Sequence, residues 1–484
     1  MVAKAPMKDM VILLPGITGS VLQKDGKDLW AVSGKAIWSV LKETESTISA
    51  LELINDDPDL DDLGHGIRAT RLIEDTHLVP GLVKIDGYTQ ASRLITDNFD
   101  VTIGDIYNDP EDKAANFYHF PYDWRRDNRV NARILKTLIN KRLKCWREKS
   151  GAPYAKVILI AHSMGGLISR YYLEVLQGWR DARVLFTFGT PYRGSINGLN
   201  FVSNGYKQLF LDFTKVIRSF TSAYQLLPIY PVVKIGDKTV RIAETDAIPN
   251  VDKARAQDAL AFHREIEAAV EKNLQEEDYK NHFTTVPIVG ISQPTMQSAE
   301  LVDGKIVVSE ALPKILQSRM DLASGDGTVP QISAIPIELS SSFNNVFIAE
   351  SHAALQNQAQ ILQDIKEKLE TVQFSSAVDI RSARTNTIGL AVDDLYLPDE
   401  PIALRATVNS QAEINSLQAI ITSVESKDTA LTFPFEQQSL DQWTLAIEAL
   451  PAGLYRVAVS AESSSSGALT PSPVHNLFEV VSRD

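Results

Sequence analysis

The chain is poor in cysteine. Cys145 is the only one in 484 residues, so no intrachain disulfide can form, a usage that suits a reducing compartment. It falls in the basic, helix-like run "RILKTLINKRLKCWREK" at 133–149, where an inert packed thiol is expected. No Asn-x-Ser/Thr sequon occurs, so nothing marks a glycosylation site. Long hydrophobic runs are missing too, and none approaches the roughly 20 residues that span a bilayer. The N-terminal "MVILLPGI" (10–17) breaks at Pro15-Gly16 and reads as a strand entering a turn, not as a signal peptide. These absences lead us to expect a cytoplasmic protein, or one peripheral at membranes. Positive charge is in deficit: 48 Lys and Arg face 61 Asp and Glu, a net charge of -13. That balance argues against nucleic acid as a partner and against electrostatic attraction to anionic membranes. It leaves a hydrophobic landing on lipid open.

What is present describes a folded protein of two or three domains: 44% hydrophobic and 23% charged residues over a length too great for one ordinary core. Up to about residue 372, short apolar runs rich in β-branched or aromatic residues alternate with helix-like ones. The strand candidates are 10–14, 117–122, 156–161, 184–189, 285–291 and 345–350, and the helix candidates 88–97, 129–149, 165–178 and 354–371. This order predicts βαβ units and a doubly wound α/β sheet. Two stretches interrupt it: an acidic, loop-like segment at 20–85, and residues 192–284, which are aromatic and helical. Such insertions are read as a lid and a cap. From 376 to 484 about seven short strand-like runs with turn residues between them predict an all-β, immunoglobulin-like sandwich.

One serine stands out. In "VILIAHSMGGLISRYYL" (157–173) an apolar strand stops at Ala161-His162-Ser163-Met164-Gly165 and a helix follows. This is the setting of a nucleophile elbow, whose tight turn requires small residues two before and two after the serine. A serine is a weak nucleophile and needs a base. In this arrangement an acid and then a histidine follow the serine in the chain. His352 comes after the strand candidate 345–350 and before the last helix, where the base belongs. His263 falls in the cap, His282 precedes a strand, and His475 is in the sandwich. For the acid, Asp326 in "SGDGTVP" is favoured over Asp321 in the more helical "QSRMDLAS". Two backbone amides are needed for an oxyanion. Met164 follows the nucleophile, and Ile17 follows Pro15-Gly16 at the first strand's end. Because this strand opens the chain, the fold's usual first two strands are expected to be missing.

These motifs occur together with "LW" (29–30), "FPYDWR" (120–125), "FGTPYRGS" (188–195), "YQLLP" (224–228), "GISQPT" (290–295), "GDGTVP" (325–330) and "SHAAL" (351–355). In this order, over about the first 370 residues, the chain resembles the lecithin:cholesterol acyltransferase and lysosomal phospholipase A2-like family of α/β-hydrolases. The resemblance implies that Ser163, Asp326 and His352 form a catalytic triad and that Ile17 and Met164 donate to the oxyanion. It further implies that Trp30 is a lid tryptophan touching acyl chains, and that 192–284 covers the acyl site. The "PYDWR" segment is read as structural, with no chemical role for Asp123 or Arg125. With Cys145 alone, the lid disulfide of the secreted members has no counterpart, and the sandwich lies outside the animal family's pattern.

The expected function is a serine-dependent lipid acyl hydrolase or O-acyltransferase working through an acyl-serine, with no metal or organic cofactor. Its partners would be a phospholipid or neutral lipid, an alcohol acceptor if transfer occurs, and a membrane surface touched peripherally. Apolar residues in "GLNFVSNGYKQLFLDF" (198–213) either line an acyl channel or form the cap's own core. Two other readings stay open: a binding or effector protein whose hydrolase-like module is targeted by the sandwich, and an esterase or amidase for non-lipid substrates.

Overall fold

The computed structural model describes residues 4–30, 49–73, 77–79, 83–208, 211–339, 346–372, 386–410, 414–425, 430–463 and 470–481. The segment joining the last helix to the sandwich, most of the serine run at 463–467 and the stretch directly after Trp30 lie outside them.

Seven parallel strands form the central sheet: β1 (Met10–Leu14), β2 (Ile103–Asp105), β3 (Phe117–His119), β4 (Val157–His162), β5 (Ala182–Phe188), β6 (Thr284–Gly290) and β7 (Val346–Ile348). Their order across the sheet is β7-β6-β5-β4-β1-β3-β2. β1 and β4 are buried along their whole length, as strands covered on both faces by helices should be. The helices fall into two groups. α1 (Thr89–Asn98) packs with α5 (Ala359–Val372), and α2 (Asn128–Lys149) with α3 (Met164–Arg170). Asp127 caps α2, its carboxylate accepting the Arg129 amide at 2.7 Å.

Among the described residues β1 is the first strand of the central sheet in the chain, and the edge beyond β3 is filled by β2, which comes later than β1. Its three residues are largely solvent-facing, so it carries no apolar run to read. Two local expectations need correction. The helix expected over 165–178 is α-helical only to Arg170, after which a π-helical turn runs over Tyr171–Val175. The 20–85 insertion is not merely a loop: Ser20–Lys24 pairs antiparallel with Lys27–Trp30 and with Ile67–Leu72. The tight turn is Asp25-Gly26, both at positive φ (50° and 78°), a hairpin turn that suits Asp-Gly.

The 192–284 insertion folds as a cap of helices, the longest being α4 (Lys253–Asn273). Its small hairpin Val233–Ile235/Lys238–Val240 joins a second hairpin, Ser298–Val302/Lys305–Ser309.

The C-terminal part is a two-sheet sandwich. One sheet holds β8 (Thr387–Val392), β9 (Ile402–Asn409), β12 (Gln442–Ile447) and the short Glu436–Gln437. The other holds Leu395–Tyr396, β14 (Val474–Val480), β13 (Gly453–Ser463), β10 (Ile414–Ser423) and β11 (Ala430–Pro434). β9 alternates strictly between buried and exposed residues, the pattern of a strand with one face on a core. That core is separate from the one under the parallel sheet and is built on Trp443, Tyr455, Val457 and Phe478.

Candidate active site

Ser163 sits where β4 turns into α3. Its backbone is held at φ 50°, ψ -123°, a left-handed conformation that costs a non-glycine residue of order 1–3 kcal/mol and persists only when the surroundings enforce it. They do. Its amide donates to the Phe188 carbonyl at 2.8 Å. Its own carbonyl accepts the Thr190 hydroxyl at 2.9 Å. Close by, a Cβ on Gly165 would stand 2.4 Å from the Pro15 carbonyl oxygen, so only glycine lets the helix start so near β1.

The three side chains nominated for the reaction meet. Ser163 Oγ lies 3.0 Å from His352 Nε2, and His352 Nδ1 lies 2.7 Å from Asp326 Oδ2. A carboxylate only accepts, so Nδ1 carries the proton and Nε2 is the acceptor for the serine hydroxyl. Asp326 is buried, and its other oxygen accepts the amides of Thr328 at 2.9 Å and Val329 at 2.7 Å. The His352 amide in turn donates to the Asp326 carbonyl at 2.8 Å. Asp321, the other candidate acid, pairs with Arg319 on the surface.

Pro15 to Ser20 forms a turn beside the serine. Tyr88 takes up the Gly16 amide at 2.8 Å, and Ile17 and Thr18 line the cavity beside the serine. Met164 is the first residue of α3, so its N–H has no acceptor within the helix. The "PYDWR" segment holds this turn from behind. Tyr122 Oη donates to the Pro15 carbonyl at 2.8 Å, and Trp124 Nε1 donates to the Ser20 carbonyl at 3.0 Å. Arg125 forks onto Asp123 and also donates to the Leu51 carbonyl, which ties the insertion around Leu51 to the same support.

Among the described residues Trp30 contacts the turn at 15–20 and its support. It is buried, its indole N–H donates to the Thr18 carbonyl at 3.0 Å, and its ring meets Trp124 edge-on at 5.5 Å. It braces the turn that carries Ile17.

A relay that the sequence reading passed over links this turn to the base. Tyr88 Oη, having accepted from Gly16, lies 3.0 Å from His162 Nδ1, and His162 Nε2 lies 3.0 Å from the His352 carbonyl. The carbonyl fixes the tautomer: Nε2–H donates and Nδ1 accepts from the tyrosine. Burial, reinforced by the neighbouring His352, pushes the His162 pKa down to about 3, so it works as a neutral strut. The signal was its place in the elbow, directly before the serine.

Ser163 and His352 open into a cavity of about 310 Å³. Its apolar wall comes from the cap: Phe201, Ile217, Phe220, Ala223 and Leu226. Of the "GLNFVSNGYKQLFLDF" run, Gly198 and Phe201 line the cavity while Leu199, Val202 and Phe213 pack into the core. The run is thus divided between the cavity wall and the core. The polar wall includes Thr328, Ser351 and two residues of the sandwich, Asp394 and Asn476. Among the described residues no group of three or more His, Cys, Asp or Glu side chains is placed to hold a metal ion.

A parallel sheet with a serine at the β4–α3 turn, an acid after β6 and a histidine after β7 defines an α/β-hydrolase, here joined to an immunoglobulin-like sandwich. Residues 110–333 match the family model described as lecithin:cholesterol acyltransferase. The chain's resemblance to that family is thus a finding over this span, and it supports chemistry of the acyl hydrolase or acyltransferase kind. Among solved structures, the chain is similar to the lipase BlEst2 of Bacillus licheniformis. To the propeptide form it is 11% identical, over 99% of this chain and 94% of that one, with a TM-score of 0.33. To the mature form it is 13% identical, over 76% and 95%, with a TM-score of 0.34. It also matches a protein from Corynebacterium diphtheriae described as membrane anchored, at 12% identity over 22% of this chain, with a TM-score of 0.18; this chain spans 24% of that protein's length. No curated protein sequence matches.

Proposed function

We propose that the protein is a serine-dependent lipid acyl hydrolase or O-acyltransferase. The observation that carries this reading is the continuous chain from Ser163 Oγ through His352 to Asp326 at 3.0 and 2.7 Å, opening into a cavity whose far wall is apolar. His352 Nε2 takes the hydroxyl proton as Ser163 Oγ attacks the ester carbonyl. The tetrahedral oxyanion is received by the Ile17 and Met164 amides, and Asp326 stabilises the imidazolium. Collapse expels the alcohol, which leaves with the proton from His352, and the acyl group stays on Ser163. Water or an acceptor alcohol then gives up its proton to His352 and attacks the acyl-serine, forming a fatty acid or a new ester and restoring the serine. The acyl chain lies against Phe201, Ile217, Phe220 and Leu226.

The test is lipid product analysis by mass spectrometry after incubation with mixed phospholipid and neutral-lipid vesicles, with and without a long-chain alcohol, beside Ser163→Ala. Free fatty acid from the wild type alone would support hydrolysis, and acyl groups diverted to the added alcohol would support transfer. No lipid change from protein that still reacts with a fluorophosphonate at Ser163 would sink the lipid assignment and leave an esterase for soluble substrates.

A further inference from the structure

The sandwich meets the catalytic layer at the two loops on which the base and the acid depend. Glu350, two residues before His352, has a fully buried carboxylate. A buried carboxylate is costly unless it is paired and hydrogen-bonded. Its Oε1 accepts the Ser351 amide at 2.8 Å and the His475 amide at 2.9 Å; its Oε2 accepts from His475 Nδ1 at 2.8 Å. Two of these three donors belong to β14 of the sandwich. The adjacent Ser351 hydroxyl donates to the His475 carbonyl at 2.6 Å. On the acid side, the Gln293 amide donates to the Gly325 carbonyl at 3.0 Å, next to Asp326. The Gln293 side chain behaves as a strand neighbour of β8: Nε2 donates to the Ile388 carbonyl at 3.1 Å and Oε1 accepts the Leu390 amide at 3.0 Å. At the rim Arg456 pairs with Asp86.

We propose that the sandwich is a working part of the active site. Its strands β8 and β14 hold the loops carrying His352 and supporting Asp326, with His475 as the positioning residue for the base. This rests on Ser163, Asp326 and His352 being the reacting groups. His475 orients Glu350, Glu350 fixes the Ser351 backbone, and His352 follows directly. Hydrolytic geometry tolerates little slack, since a misplacement of about 1 Å costs on the order of 100-fold in rate. The charged groups facing His475 are Glu350, Asp86 and Arg456, and the Glu350 hydrogen bond raises its pKa above the ordinary histidine value of 6.5 against the opposing effect of burial.

The test uses the full chain and compares wild type, His475→Ala and His475→Gln. The readouts are kcat and KM on a soluble short-chain ester, the rate of fluorophosphonate labelling at Ser163, and the pH profile of both. His475→Ala is expected to lower kcat about 10- to 100-fold with KM unchanged, because the cap wall that binds the acyl chain is untouched, and to slow labelling in step. Glutamine, which keeps an N–H donor, recovers most of the loss. A neutral imidazole keeps the Nδ1–H donor to Glu350, so the pH profile of His475→Gln is expected to follow that of the wild type. Wild-type kcat, labelling and pH profile in a folded His475→Ala would overturn the proposal. Should that variant not fold, Ser351→Ala removes the hydroxyl bond to the His475 carbonyl and one small polar group of the cavity wall, so KM is read beside kcat. Lower kcat at constant KM supports the clamp, and unchanged kcat overturns it. Failure of the wild type itself to label at Ser163 would overturn the underlying assignment of the serine instead.

Discussion

Gly189 lies against the Asp326–His352 pair so closely that a Cβ there would stand 2.7 Å from Asp326 Oδ2 and 2.9 Å from His352 Nδ1. It also sits at φ 55°, a conformation that L side chains rarely adopt.

Gly189→Ala is therefore expected to separate the aspartate from the imidazole while leaving the sheet formed. The fall in kcat should be about 100-fold or more, with a stability loss of order 1–3 kcal/mol from the strained backbone. Ester turnover and urea denaturation measured side by side check this. Alanine at 189 with wild-type turnover would mean that the pair tolerates a shift the geometry forbids.

Trp30 and Phe201 should behave oppositely. Trp30→Ala removes a packed indole and its bond to the Thr18 carbonyl, and should cost about 3–5 kcal/mol. The milder Trp30→Phe should leave the preference among ester chain lengths as it was. Phe201 faces the cavity, so Phe201→Ala should move that preference towards longer or bulkier acyl groups with little loss of stability. A chain-length series on folded variants decides. A Trp30→Phe enzyme with altered preference would return the tryptophan to the acyl site.

Two buried histidines, His162 and His263, and the half-buried His119 set an acid limit on stability. Burial pushes His119 down to about 4, His162 to about 3 and His263 to about 4, from 6.5. Below 6.5 the unfolded chain takes up protons that the folded one refuses. The stabilisation is thus complete above that pH and drains away as pH falls toward the folded values. Each contributes a slope of up to about 1.4 kcal/mol per pH unit. His475, shifted the other way, acts oppositely: its contribution is complete below 6.5 and is lost as pH rises through its raised value. Urea midpoints should drop steeply from neutral to mildly acid pH, and a flat profile there would contradict the buried neutral imidazoles.

The meeting of Ser163, Asp326 and His352 was legible because Ser163 and His352 follow the ends of strands β4 and β7 and Asp326 stands in its own Gly-Asp-Gly signature. The parallel strands were legible as apolar runs bounded by turn residues. The edge strand β2 was not, since an exposed strand of three residues carries no such run. The hairpin at 298–309 turns on Asp303-Gly304, both at positive φ (48° and 75°), a Asp-Gly signal present in the sequence and overlooked. The bond from Trp30 to the Thr18 carbonyl was not legible, because a motif gives a residue's neighbours in the chain and not the direction of its ring. The pairing of Glu350 with His475 could not be read at all. The two are 125 positions apart, and each alone looks like an ordinary polar residue beside a strand.

β1 is made before every other strand of the central sheet, yet it ends in the sheet's middle, between β3 and β4. Its neighbours are Phe117–His119 and Val157–His162. During synthesis at roughly 5–20 residues per second, "MVILL" must wait several seconds with both edges open. A bare apolar strand of this kind invites pairing with other chains. The flanking residues limit that hazard: Lys8 and Asp9 precede it with charge, and Pro15-Gly16 follows with a proline that cannot extend a ladder. The dipeptide that shapes the turn beside Ser163 in the finished protein thus also acts as a gatekeeper for the nascent one.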